Sequence, residues 1–176
     1  MEDIFLLYQN DSNLKDFSYG DILGKLYCYD SFVPNHKKLK VNDSVIFRLN
    51  KAVPGIVGHG VVSDITISNG IKDRPRCPKC DSANVARRSR LLPRWKCYTN
   101  TCLYEFDNVV IQTVKCVKYA AGIKDFKEFK TYPTIQSIKS CSYKSVSNQH
   151  SINQLDPRKL KSSQDIADHI KLALRL

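Results

Sequence analysis

No stretch of this chain approaches the roughly 20 consecutive apolar residues that a helical bilayer crossing needs. Helical periodicity is also scarce. Before residue 160 no segment repeats apolar residues persuasively at i, i+3 and i+4, which argues against an all-helical architecture. Signatures of chemistry are missing as well: there is no Walker loop, no paired-carboxylate nuclease signature and no GxSxG. His36 and His59 have no identifiable cysteine partner for nucleophilic catalysis, and His150 and His169 lack the spacing of an HNH or other metal-nuclease motif. These absences lead us to expect a chain that binds rather than cuts, a non-catalytic module rather than an enzyme. A small nuclease with an unrecognised site is the competing reading. The first residues, Met1-Glu2-Asp3-Ile4-Phe5-Leu6-Leu7, are acidic and their apolar run is too short for a signal peptide, so the expected compartment is the cytoplasm. No internal repeat is visible.

What the chain does have is cysteine, seven in all. The number is odd and four of them sit in two paired knuckles, which favours a metal in a reducing compartment over a disulfide scaffold. Cys77-Pro78-Lys79-Cys80 and Cys97-Tyr98-Thr99-Asn100-Thr101-Cys102 make CxxC, sixteen residues, then CxxxxC. Two intervening residues let one tight turn aim both thiolates at a single ion, and four do so with a looser knuckle. The sixteen between the pairs form a hairpin that returns the second knuckle to the first. Four soft ligands at tetrahedral spacing select Zn2+, with iron as the alternative, and a four-thiolate site has no open position for a catalytic water. One structural zinc, held by Cys77, Cys80, Cys97 and Cys102 in a zinc ribbon, is therefore expected. Cys28, Cys116 and Cys141 lie outside the pattern and read as small core or surface thiols.

Positive charge is in excess and it is localised. The net charge is +11, and residues 72–104 alone carry nine basic and two acidic side chains. The usual partner of such a patch is a polyanion, so nucleic acid is the expected partner. Arg74, Arg76, Arg87, Arg88, Arg90, Arg94 and Lys96 are the candidate contacts to its backbone, since guanidinium groups on a rigid hairpin suit phosphates. Trp95, directly before the second knuckle, either covers the metal site or stacks on a base.

The remainder reads as short strands. Ile4–Tyr8 is a compact apolar run ended by the turn-formers Asn10–Asn13, and Lys25–Tyr29 is aromatic and β-prone. Val41-Asn42-Asp43 turns into the strand Ser44–Leu49. After Pro54-Gly55 comes Ile56–Ile65, in which glycines inside a strand pattern signal a bulge or a close backbone approach. Asn108–Tyr119 alternates as a strand and Ala120-Ala121-Gly122 is expected to break it. A polar stretch, Ser137–Gln154, follows, and Ser162 or Ser163 caps a terminal helix with Ile166, Ile170, Leu172 and Leu174 on its apolar side. The expected fold is mixed α/β and mainly β: a small barrel formed by residues 1–71 and 108–155, an inserted zinc ribbon over 72–107, and a C-terminal helix or linker over 156–176.

Three segments, Gly24–Asn35, Leu39–Phe47 and Gly55–Ile65, carry an aromatic strand, a turn-strand of the form DxVxF and a glycine-broken GxGxV strand. Together they resemble the PUA-like superfamily of β-barrels, which includes the EVE, YTH, ASCH and SRA domains. More narrowly they resemble the reader modules of modification-dependent (type IV) restriction endonucleases. Asn42 departs from the pattern, standing where a glycine is usual. The resemblance implies recognition of a modified base flipped from a DNA duplex, and a fused or partner nuclease domain. The flipped base would need a π-face, from Tyr27, Tyr29 and Phe32, and edge partners, from Asp30, Asn35, Ser63 and Asp64. Tyr27 and Tyr29 share one strand face, which is either core or pocket. An RNA-binding PUA-like protein acting on tRNA or rRNA remains the alternative, with DNA favoured.

Overall fold

The computed structural model describes residues 2–9, 20–49, 55–143 and 151–176. The turn expected at Asn10–Asn13, Pro54, and residues 144–150 of the polar stretch, His150 among them, lie outside the described residues. The chain divides into two compact units: Met1–Ser68 with Lys118–Leu176, and Asn69–Val117.

The first unit is built on a six-stranded sheet. Its strands are β1 (Ile4–Gln9), β2 (Leu26–Asp30), β3 (Ser44–Leu49), β4 (Ile56–Arg76), β8 (Val110–Glu128) and β9 (Ile152–Leu155), in the order β2-β8-β4-β3-β1-β9. Here β1 runs parallel to β3 and antiparallel to β9, and β3 is antiparallel to β4. The short strands β5 (Val85–Arg87), β6 (Trp95–Cys97) and β7 (Glu105–Phe106) form a separate three-stranded sheet in the second unit. Three helices complete the described residues: α1 (Ile135–Ser140), α2 (Pro157–Ser162) and α3 (Asp168–Ala173).

The reason β1 is almost wholly apolar is that both of its faces are buried. Phe5 and Leu7 join Tyr27, Tyr29, Leu39, Val45, Phe47 and Ile152 in one core, while Ile4 and Leu6 join Ile46, Leu155 and residues of the helices in another. Alternate residues of a strand face opposite sides, so a strand covered on both shows no alternation in its sequence. The helices supply the second core through Ile138, Leu160, Ile170 and Leu174.

Among the described residues no ladder joins the outermost strands β2 and β9. Side chains link them instead. The Tyr27 hydroxyl donates to the Ser151 carbonyl at 3.0 Å, Asn35 Nδ2 donates to the Ile152 carbonyl at 2.9 Å, and Lys38 Nζ donates to Gln154 Oε1 at 3.3 Å. The turn into β3 is held by Asp43, whose two carboxylate oxygens accept from the backbone N–H groups of Asp3 and Lys40. Asn42 adopts a positive φ of 72° there, a conformation that asparagine tolerates better than most residues.

Three expectations are corrected. First, β8 does not break at Ala120-Ala121-Gly122 but runs on to Glu128. Ala121 is fully buried opposite Tyr27, and a side chain at Gly122 would collide with Asp64, so small residues mark crowding and not a strand end. Gly58 has the same cause, because a Cβ there would lie 2.5 Å from the Lys127 carbonyl oxygen. Second, α1 was not legible as a helix. Thr134 caps it by accepting from the Ser137 N–H, but six residues are too few to display a helical period. Third, the C-terminal segment is two short helices rather than one, split where Ser163 and Ala167 take extended conformations. Leu160, Ile166, Ile170 and Leu174 are buried in the core, so the segment packs as part of the unit.

Two substitutions separate these contributions. Leu6→Ala, at a fully buried position of β1, should cost about 2–5 kcal/mol in denaturant unfolding. Tyr27→Phe retains the ring and removes the bond to Ser151, so it should cost about 1 kcal/mol.

Candidate metal centre and basic hairpin

The second unit is too small for a large apolar core, and its buried centre is made of cysteine. Cys77 and Cys97 are buried with Phe106, and Val85, Trp95, Cys102 and Val109 pack against them. The sulfurs of Cys77, Cys80, Cys97 and Cys102 all lie within 4.8 Å of one another, with Cys77 Sγ to Cys102 Sγ and Cys80 Sγ to Cys97 Sγ each 3.7 Å. Four sulfurs at about 2.3 Å from the centre of a tetrahedron would be separated by about 3.8 Å. The four-cysteine cluster can therefore hold one metal ion. Trp95 takes the covering role of the two envisaged for it.

Both knuckles use one turn. In the first, the Asp81 N–H donates to the Cys77 carbonyl at 2.9 Å and Asp81 has a positive φ of 56°. In the second, the Leu103 N–H donates to the Thr99 carbonyl at 3.1 Å and Leu103 has φ 49°. The second knuckle is thus not looser, as its spacing suggests. It is the same turn begun at Thr99, and its first thiol comes from Cys97, at the end of β6. Hydrogen bonding by Thr99 pulls the Cys97 thiol down, while the neighbouring cysteines push the Cys80 thiol up, so the four sulfurs share their protons as one coupled group.

The hairpin between the knuckles, β5 to β6, is organised by Arg88. Its guanidinium makes a two-pronged pair with Glu105, at 2.8 and 2.9 Å, and also donates to the Pro93 carbonyl. Its backbone N–H donates to the Arg94 carbonyl, and the Arg94 N–H donates to Asp107 Oδ1. Lys96 joins the same carboxylate, with Nζ 3.1 Å from Glu105 Oε1. These two cations hold the Glu105 carboxyl below the usual range. Arg88, expected at a phosphate, is therefore turned inward, because only there does its fork find a carboxylate and a carbonyl together. Arg76 likewise donates to Gln112 and to the Asp81 carbonyl. Arg87, Arg90 and Arg94 are exposed, and Arg74 is half-buried.

The residues expected to form a base pocket fall into different environments. Tyr27 and Tyr29 are core, with 1% and 2% exposure. Their rings lie 5.5 Å apart, and Tyr29 stacks on Tyr119 at 4.9 Å and 4°. Burial pushes the Tyr29 hydroxyl up to about 12, with Tyr119 adding to it, and that hydroxyl has no hydrogen-bond partner among the described residues. Asp30 is buried and accepts from the Phe32 N–H, shaping the turn after β2. Phe32 is exposed, Asn35 is bonded to Ile152, and the Ser63 hydroxyl donates to Asp64. The groove bounded by Ile4, Pro157, Arg158, Lys161, Leu174 and Arg175 includes none of these residues. The other thiols are quiet: Cys116 and Cys141 are buried, and burial pushes the Cys28 and Cys141 thiols up. No helix among the described residues is long and apolar enough to cross a membrane.

Cys80→Ser or Cys97→Ser should abolish metal retention and unfold the second unit, since a structural four-thiolate zinc site contributes on the order of 10–16 kcal/mol. Metal analysis of the purified protein, with proteolysis of residues 69–117 as the readout of folding, tests this. A metal-free chain equally resistant to protease would refute it. No family model matches the chain, and no curated protein and no solved structure matches it, so its function is argued from this geometry alone.

Proposed function

We propose that the chain is a non-catalytic nucleic-acid-binding module, that its metal is one structural zinc, and that duplex DNA is its preferred partner. The observation that carries this reading is the division of labour among the arginines of one hairpin. Arg88 is consumed in bracing the loop, while Arg87, Arg90 and Arg94 are exposed around it. The unit from Asn69 to Val117 holds ten basic and four acidic side chains, and it keeps a positive excess even after a tetrathiolate zinc contributes its two negative charges. A rigid cationic hairpin loses little entropy on meeting a row of phosphates. DNA is favoured over RNA because the grooves of a B-form duplex admit protein side chains and their flanking backbone contacts, whereas the major groove of A-form RNA is too deep and narrow for them.

A finer reading makes the chain the reader of a modification-dependent restriction system, with a PUA-like barrel taking a flipped base and a nuclease supplied by a fused or partner domain. One observation supports it: the Tyr27 hydroxyl on β2 and the Asn35 amide in the turn after it reach the Ser151 and Ile152 carbonyls at the start of β9, which brings the two edges of the first sheet toward each other.

Arg90→Ala with Arg94→Ala should weaken binding to all sequences alike and flatten the dependence of affinity on salt by roughly one unit per contact. Duplex DNA, single-stranded DNA and structured RNA compared in competition give the partner class. A slope unchanged by both substitutions removes the hairpin from the interface. For the finer reading, Phe32→Ala, at an exposed ring, should retain the fold and non-specific binding but lose preference for duplex carrying a modified base. An unchanged preference would rule out Phe32 as the stacking face.

A further inference from the structure

The tip of the hairpin between β5 and β6 carries two adjacent leucines in water. Leu91 is 60% exposed and Leu92 75% exposed, although the unit has few apolar residues to spare for its own core. Solitary exposed leucines need no explanation, but a contiguous apolar point on a strongly basic unit does.

The loop is not loose. Arg88 fastens it from within, through the paired bonds to Glu105, the bonds to the Pro93 carbonyl and the backbone bond to Arg94. The Arg88 side chain is only 11% exposed, so this brace is shielded from solvent. Asp107 fixes the returning strand at the Arg94 N–H. What the brace holds in place is the sequence Arg90-Leu91-Leu92-Pro93-Arg94: two leucines with an exposed arginine on either side.

We propose that Leu91 and Leu92 form a wedge that enters the base stack of duplex DNA, with Arg90 and Arg94 on the flanking phosphates. The inference rests on the nucleic-acid reading above and names how that same hairpin engages its ligand. Apolar side chains inserted at a base step, with cationic neighbours on the backbone, are an established way for proteins to unstack and bend a duplex. Such a wedge must be stiff, because a floppy loop would fold its leucines away from the cost of unstacking. The Arg88 brace provides the stiffness. An acidic partner protein would satisfy the arginines but gives the two leucines no stack to enter. A membrane surface would satisfy both, but two leucine side chains offer little apolar area when a whole acyl chain attaches only marginally.

The test uses the full chain with zinc, and a short DNA duplex carrying a fluorescent adenine analogue whose emission rises when it is unstacked. The parent protein should raise that emission. Leu91→Ala with Leu92→Ala should abolish the rise and weaken duplex binding by roughly tenfold or more, leaving the salt slope unchanged. Both leucines are exposed, so metal content and thermal midpoint should match the parent, and Arg90→Ala with Arg94→Ala supplies the opposite pattern of a lowered slope. Duplex binding with no rise in emission, or undiminished by the leucine substitutions, would overturn the wedge and leave the nucleic-acid reading standing. Failure to bind duplex at low salt would overturn both. Leucine-dependent binding to vesicles containing phosphatidylserine, with no effect of the leucines on DNA, would also overturn the wedge.

Discussion

Four sulfur atoms within 4.8 Å of one another cannot all carry negative charge unless a cation lies among them. That constraint governs the unit from Asn69 to Val117. Its strands are two or three residues long apart from the parts of β4 and β8 it contains, and its buried apolar cluster rests on Cys77, Cys97 and Phe106. Sheets this small do not hold themselves together in water. One ion held by both knuckles would fix the ends of the hairpin, and between those ends the partly buried Arg88 braces the loop.

Arg88 shows how a side chain is assigned by its surroundings. Arg87 and Arg88 are neighbours of one chemical type, yet strand alternation gives them opposite fates. Arg87 lies opposite Trp95 in the ladder and remains exposed, while Arg88 meets Glu105 and the Pro93 carbonyl. The pair with Glu105 is partly shielded and two-pronged, which is the geometry in which such a pair fixes orientation as well as adding energy. The same hairpin thus carries exposed arginines at Arg87, Arg90 and Arg94, while Arg88 and Lys96 pair with Glu105 inside it.

The first unit follows a different logic. Its sheet is covered on both faces, and among the described residues the region of β9 is tied to β2 and the turn after it by the Tyr27 hydroxyl and the Asn35 amide rather than by a backbone ladder. Tyr27 thereby serves as core ring and as cross-strand tie at once. Tyr29, two residues on and on the same face, has the ring contact without the tie. A buried hydroxyl left without a partner is costly, and among the described residues the Tyr29 hydroxyl has none.

Much of this architecture was determined locally and could be read in the chain. The metal cluster follows from CxxC and CxxxxC, because knuckle turns need only a few consecutive residues. Strand β3 was legible to the residue at both ends, Ser44 and Leu49, because its apolar run is sharply bounded by Asn42-Asp43. The mainly β character followed from the same turn signals. Contacts between distant residues decided the rest. Ala121 and Gly122 look like a strand break until Tyr27 and Asp64 are placed beside them. Tyr27 and Tyr29 fit core and pocket equally well until the second face of the sheet is counted as covered. Nothing in the residue types sets Leu91 and Leu92 apart, and only the folded hairpin shows them exposed at its tip. The physical reason is the same in each case: a residue type encodes what a side chain is able to do, whereas burial and partners are properties of residues far apart in the chain that only folding brings together.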